Sequence, residues 1–160
     1  MEKKDDNRDV FKQLYERAKM LYDFSNLMNI HTRHINCSTI DPELTMVEVH
    51  TLVDIMENPG IRVTDLGRMN KKTRGAVSQM ITKLEKKGYI TKRASDIHGK
   101  FVELYLTEVG ETIAKEHEEY DVKALTATLN LLLKKCSVEE INHFYKVLGC
   151  YNDILQEEIQ

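Results

Sequence analysis

The residues of this chain with chemistry to offer are cations rather than nucleophiles. Between Arg62 and Lys100 stand eleven Lys and Arg (Arg62, Arg68, Lys71, Lys72, Arg74, Lys83, Lys86, Lys87, Lys92, Arg93 and Lys100) against three acids (Asp65, Glu85 and Asp96), a surplus of eight positive charges. The 160-residue chain carries a net charge of −3, so everything outside that stretch sums to −11. Positive charge gathered into one quarter of a chain attracts a polyanion there and repels it elsewhere. Covalent catalysis finds no comparable footing. There is no GxSxG elbow, no Gly-rich phosphate loop and no HExxH pair, and an enzyme is not expected.

The elements that must position these cations are legible from periodicity and caps. Thr64 is placed to cap a short helix running to about Met69, with Asp65 in its first turn. A turn, Asn70-Lys71-Lys72-Thr73, follows. Thr73 then caps a second helix whose apolar positions Val77, Met80, Ile81 and Leu84 fall at i, i+3, i+4 and i+7, and Gly88 stops it. Two short helices joined by a tight turn form a helix-turn-helix. If the apolar positions face inward, Arg74, Gly75, Ser78, Gln79, Thr82 and Lys83 lie on or beside the outward face. These residue types contact phosphates and base edges in duplex DNA, with Gly and Ser permitting close approach. Beyond Gly88 the period changes to two over Tyr89–Arg93 and again over Lys100–Leu106, around a polar Ala94–Gly99 loop. That pattern predicts a β-hairpin, a wing carrying Lys92, Arg93, His98 and Lys100.

Long helices flank this centre. From about Asp9 to Ile35, Leu14, Leu21, Met28 and Ile35 recur every seven residues, a seam suited to packing against another long helix. Asp41-Pro42 breaks the pattern, and Thr45 with Glu48 forms a capping box for a helix ending at Asn58-Pro59-Gly60. Thr107 opens a helix through Leu125, Leu129, Leu132 and Leu133. Ser137 and Glu140 box the last one, whose apolar face holds Ile141, Phe144, Tyr145, Leu148, Tyr151 and Leu155. The fold expected is mainly α with a small β-hairpin wing: a winged helix-turn-helix over 41–107, flanked by helical dimerisation regions at 1–40 and 108–160, all in one 1–160 unit. The charged N-terminus lacks the apolar core of a secretory signal, and no run approaches the roughly 18 apolar residues of a bilayer span, so a cytoplasmic protein without membrane association is expected. Cys37, Cys136 and Cys150 form no CxxC pair and read as free thiols.

The order of elements resembles the MarR family of bacterial transcriptional regulators. The likeness is carried by Gly60-Ile-Arg-Val-Thr-Asp-Leu-Gly67, by Ala76-Val-Ser-Gln-Met-Ile-Thr-Lys-Leu-Glu-Lys-Lys-Gly88-Tyr-Ile, and by Leu106-Thr107-Glu-Val-Gly110. It implies a homodimer built from the first and last helices, with two recognition helices reading an inverted repeat in double-stranded DNA. It also implies a repressor released by an effector in the cleft between dimer and DNA-binding regions. The chain departs from the family in the wing, where His98-Gly99-Lys100 stands in place of an Asp-Arg-Arg run, and Lys lacks the planar fork of Arg. A winged helix that binds protein rather than DNA is the alternative this departure keeps open.

The same resemblance bears on what is sensed. In the zinc-responsive branch of the family, one histidine follows the start of the second helix and another follows the Leu-Thr by ten residues, and His50 and His117 match both offsets. Asp121 stands where that branch has a further histidine, with His31 and His34 near enough in sequence to complete a shell. The regulatory zinc reading competes with two others, in which His50 and His117 pair with carboxylates such as Glu116 or Glu118, or face a cleft for a small organic effector. Cys37 falls too late in the first helix to match the family's peroxide-sensing cysteine.

Overall fold

The computed structural model describes residues 2–33, 38–94 and 101–159, with side chains described over 12–31, 38–94 and 101–158. His34, Cys37, His98 and Lys100 lie outside the described residues. Helix α1 runs Glu2–Arg33, longer at its start than the seam predicts. There follow α2 (Met46–Glu57), β1 (Ile61–Arg62), α3 (Val63–Met69), α4 (Arg74–Lys86), β2 (Ile90–Ala94), β3 (Val102–Leu106), α5 (Glu108–Leu132) and α6 (Val138–Ile159). The chain forms two compact units, Met1–His117 and Glu118–Gln160, with the boundary inside α5.

Caps fix the helix ends. Glu48 N–H donates to Thr45 Oγ1 while Glu48 Oε2 accepts from Thr45 N–H at 2.9 Å, closing the box on α2. Ser137 and Glu140 do the same for α6. Thr64 does not cap α3: the N-cap is Arg62, which makes no side-chain cap bond, and helix begins at Val63 directly from β1. The two-residue β1 is the strand the sequence does not announce. It pairs with β3, Ile61 opposite Leu104 and Arg62 opposite Glu103, and β3 pairs with β2 on its other side, giving the antiparallel order β1-β3-β2.

Leu52 and Ile55 from α2, Leu66 from α3, Val77, Ile81 and Leu84 from α4, Ile90 and Leu104 from the sheet, and Ile113 and Ala114 from α5 close a single buried cluster. Met80 packs against its edge. Burying the i, i+4 and i+7 stripe of α4 removes apolar area from water and turns the opposite face outward.

Two glycines hold the wing to this core. Gly88, with φ of 80°, takes the left-handed conformation that ends α4, and Tyr89 N–H then bonds back to Leu84 O at 3.0 Å. Gly110 lies against the same corner, where a Cβ would stand 2.0 Å from Tyr89 O. Thr107 completes the joint: its N–H donates to Tyr89 O, and its hydroxyl donates to Gly88 O and accepts from Gly110 N–H. Gly110→Ala is expected to cost about 3 kcal/mol or more, the upper range for overpacking, because the obstacle is backbone. Urea unfolding checks this, and a loss under about 1 kcal/mol would mean that α5 backs away freely.

Candidate nucleic-acid interface

Along α4 burial alternates with the helical turn. Val77, Ile81 and Leu84 are buried, while Arg74, Gly75, Ser78, Gln79, Thr82 and Lys83 are exposed. Thr73 caps the helix by accepting from Ala76 N–H at 3.3 Å, and no acid occupies the first turn to offset the positive end of the helix dipole. Thr82 donates its hydroxyl to Ser78 O at 2.8 Å. Lys71 and Arg74 are exposed and Lys72 is half-buried in the turn ahead of the helix, and among the described residues none of the three has an ion-pair partner.

Other cations of the basic stretch are committed within the fold. Lys83 Nζ is 2.5 Å from Glu48 Oε1. Burial of Glu48 opposes its ionisation, but the bonds from Lys83 and from Thr45 outweigh this and hold its pKa below the ordinary value. One turn on, Lys87 Nζ is 2.6 Å from Asp41 Oδ2, which also accepts from the Tyr89 hydroxyl at 2.9 Å. The Lys87 bond lowers the pKa of Asp41, and the same bond raises that of Lys87. Burial, then the bond to Asp41, raises the pKa of the Tyr89 hydroxyl.

In the wing, Lys92 pairs with Glu85 at 2.6 Å. The guanidinium of Arg93 lies 4.5 Å from the centre of the Tyr105 ring. On β1, Arg62 bonds Asp65 at 2.6 Å and lies 5.2 Å from the centre of the Phe101 ring, and Asp65 is also 3.4 Å from Arg68. The structure thus leaves Lys71, Thr73, Arg74, Gly75, Ser78, Gln79 and Thr82 exposed and Lys72 half-buried, with Lys83 and Lys92 drawn toward carboxylates. The clamp of Asp41 on Lys87 and Tyr89 is absent from the sequence reading. Its one sequence signal is an acid at the helix break, and nothing local ties position 41 to position 87.

A second group of side chains comes from α2 and α5. The rings of His50, exposed, and His117, buried, have centroids 5.0 Å apart. Asp121 follows His117 by one turn on α5, and ligand atoms of the three lie within 4.8 Å of one another. His31 is exposed on α1 and is not among them. Glu116 accepts from the Thr39 hydroxyl at 3.0 Å.

The MarR family model matches residues 44–96, from the end of the Asp41 loop into the wing. Two transcriptional regulators of the HTH type from Bacillus subtilis, both uncharacterised, are similar: YhjH, 32% identical over 82 residues (51% of this chain and 47% of that protein), and YybA, 37% identical over 73 residues (46% and 49%). The chain thus spans about half the length of these relatives. Among solved structures, Streptococcus pneumoniae FabT in complex with DNA aligns with TM-score 0.72 and 25% identity, covering 89% of this chain and 98% of that one. Zinc-responsive Lactococcus lactis ZitR aligns with TM-score 0.66 and 21% identity, covering 92% and 99%. These structures share the fold of this chain, and no helix among the described residues is long and apolar enough to cross a membrane.

The Asp41 clamp yields a pH signature. A lowered carboxylate pKa contributes stability above the ordinary carboxylate range and loses it as pH falls through the lowered value. The raised ammonium pKa of Lys87 contributes below the ordinary lysine value and is lost as pH rises through the raised one, so the pair is fully present across neutrality. Asp41→Asn should cost about 1–3 kcal/mol at pH 7, and the gap should narrow below about pH 4. Urea unfolding of both proteins across that range measures it, and a gap that ignores pH would rule out the ion pair as its cause.

Proposed function

We propose that this chain is a homodimeric, sequence-specific DNA-binding transcriptional regulator, a repressor on an inverted-repeat operator that a small-molecule or metal effector releases. The observation that carries this reading is the outward face of α4. A helix of 13 residues, capped by Thr73 and preceded by cations with no ion-pair partner among the described residues, offers Arg74, Ser78 and Gln79 to a groove that admits one α-helix. The FabT structure supports the choice of duplex DNA as the partner.

The dimer rests on apolar surface. Leu14, Leu21 and Met28 recur along α1 with 45–59% exposure, and α6 exposes Phe144, Tyr151, Ile154 and Leu155. Runs of large apolar side chains open to water mark an interface, and a two-fold pair of chains matches a two-fold operator. The solution mass should be about 37 kDa, twice the 18.6 kDa of one chain. A duplex selected from a random-sequence pool should bind with an affinity that falls steeply between about 50 and 200 mM salt, as phosphate contacts require. Absent or salt-indifferent binding would instead favour a winged helix that binds protein.

The histidine pair favours zinc as the effector. Two imidazoles and a carboxylate are an acceptable zinc donor set, and a tetrahedral ion about 2.1 Å from each donor sets them roughly 3.4 Å apart. Donors already within 4.8 Å need close by no more than about 1.4 Å. His50, His117 and Asp121 would hold the ion, with water or another side chain completing the shell. Zinc at about 100 times its dissociation constant should then stabilise the metal-free protein by about 2.7 kcal/mol and change duplex affinity. His50→Ala, an exposed substitution, should abolish both effects. Unchanged unfolding with zinc present would remove this reading.

A further inference from the structure

Two helix ends in the winged domain are closed by the same pair of hydrogen bonds. After α4, Tyr89 N–H bonds Leu84 O at 3.0 Å and Gly88 N–H bonds Glu85 O at 2.9 Å. After α3, Lys72 N–H bonds Gly67 O at 2.9 Å and Lys71 N–H bonds Arg68 O at 3.2 Å. Both motifs need a left-handed residue at the same place, where glycine is unstrained and a side chain is not. At the end of α4 the chain supplies Gly88, with φ of 80°. At the end of α3 it supplies Lys71, with φ of 51°, the one non-glycine residue of positive φ among the described residues.

Four residues on, the preference is inverted again. Gly75 stands in the first turn of α4 with no positive φ, where any side chain would favour helix over glycine. A Cβ built there meets nothing within 4 Å. Nothing among the described residues requires its absence. Gly149, the other helical glycine with open space around it, lies on α6, whose apolar face the proposed dimer covers.

We propose that both inversions are set by the DNA duplex. Lys71 keeps a charged side chain at a glycine position to put its ammonium against a backbone phosphate. Gly75 omits a side chain at a helix position because the groove wall comes within van der Waals contact of its Cα. Gly75 is then a specificity-determining residue of the recognition helix and Lys71 a phosphate anchor. Each is held against the preference of the local backbone, so the interface stores a small instability of the free protein. This rests on the DNA-binding reading above and adds which residues that reading costs.

The test pairs stability with binding, using the full chain and the duplex selected by the wild-type protein. Lys71→Gly and Gly75→Ala should each raise the melting temperature by a few degrees. Lys71→Gly should lower the slope of log affinity against log salt by about 1.8 for a dimer, about 0.9 for each phosphate lost, which is on the order of 60-fold weaker binding at 0.1 M salt. Lys71→Arg should keep the slope. Gly75→Ala should bind at least ten times more weakly with the slope unchanged, since it adds a clash and changes no charge. Gly88→Ala, at the matching turn, should lower the melting temperature. Variants that melt higher yet bind like the wild type would overturn the proposal, as would variants that melt no higher. Failure of the wild type itself to select a duplex would count against DNA binding altogether, a separate result.

Discussion

Two lysines one turn apart at the C-terminal end of α4, Lys83 and the C-cap Lys87, are each gripped by a carboxylate, Glu48 and Asp41. Glu48 is also half of the box that starts α2, and Asp41 also takes the Tyr89 hydroxyl at the base of the wing. The same two acids therefore set the start of α2, the axis of α4 and the root of β2. A helix that reads a groove must be held at a fixed angle, and buried apolar contacts alone leave a cylinder some freedom to roll. Charge-assisted bonds of 2.5–2.6 Å, directional and partly screened from water, remove it. The arrangement also consumes two cations, whereas Lys71, Lys72 and Arg74 have no ion-pair partner among the described residues.

Much of this was legible beforehand. Val77, Ile81 and Leu84 mark the inner face of α4 by spacing alone, and Thr45, Thr73 and Ser137 mark helix starts because their caps are satisfied within three residues. Local chemistry of that kind is written in consecutive letters. What stayed hidden was long-range or too short to have a period. Strand β1 has two residues and takes its identity from the partner β3. Its presence moved the start of α3 back to Val63 and left Thr64 inside the helix instead of at its cap. The Asp41 clamp joins residues 46 apart, and Lys83, though on the exposed side of the wheel, has a stem long enough to reach back to Glu48.

The histidine pair shows a different mixture. His50 and His117 were matched by offset to a pattern, and the fold does bring their rings to 5.0 Å, with Asp121 a turn away. His31 carries the same side chain and lies apart from that group, because belonging depends on which helices meet and not on sequence distance.

The joint at Thr107 carries a consequence for how such a chain diversifies. Its hydroxyl spans to Gly88 across 19 positions, and Gly110 lets α5 seat on the same carbonyl corner. The hairpin is thereby fastened at its root, and a connection between two strands so fastened closes a ring. Lengthening such a connection costs only a logarithm of its length. Changes of length between β2 and β3 therefore cost the core little, so descendants of one scaffold are free to vary there while α4 keeps its bearing.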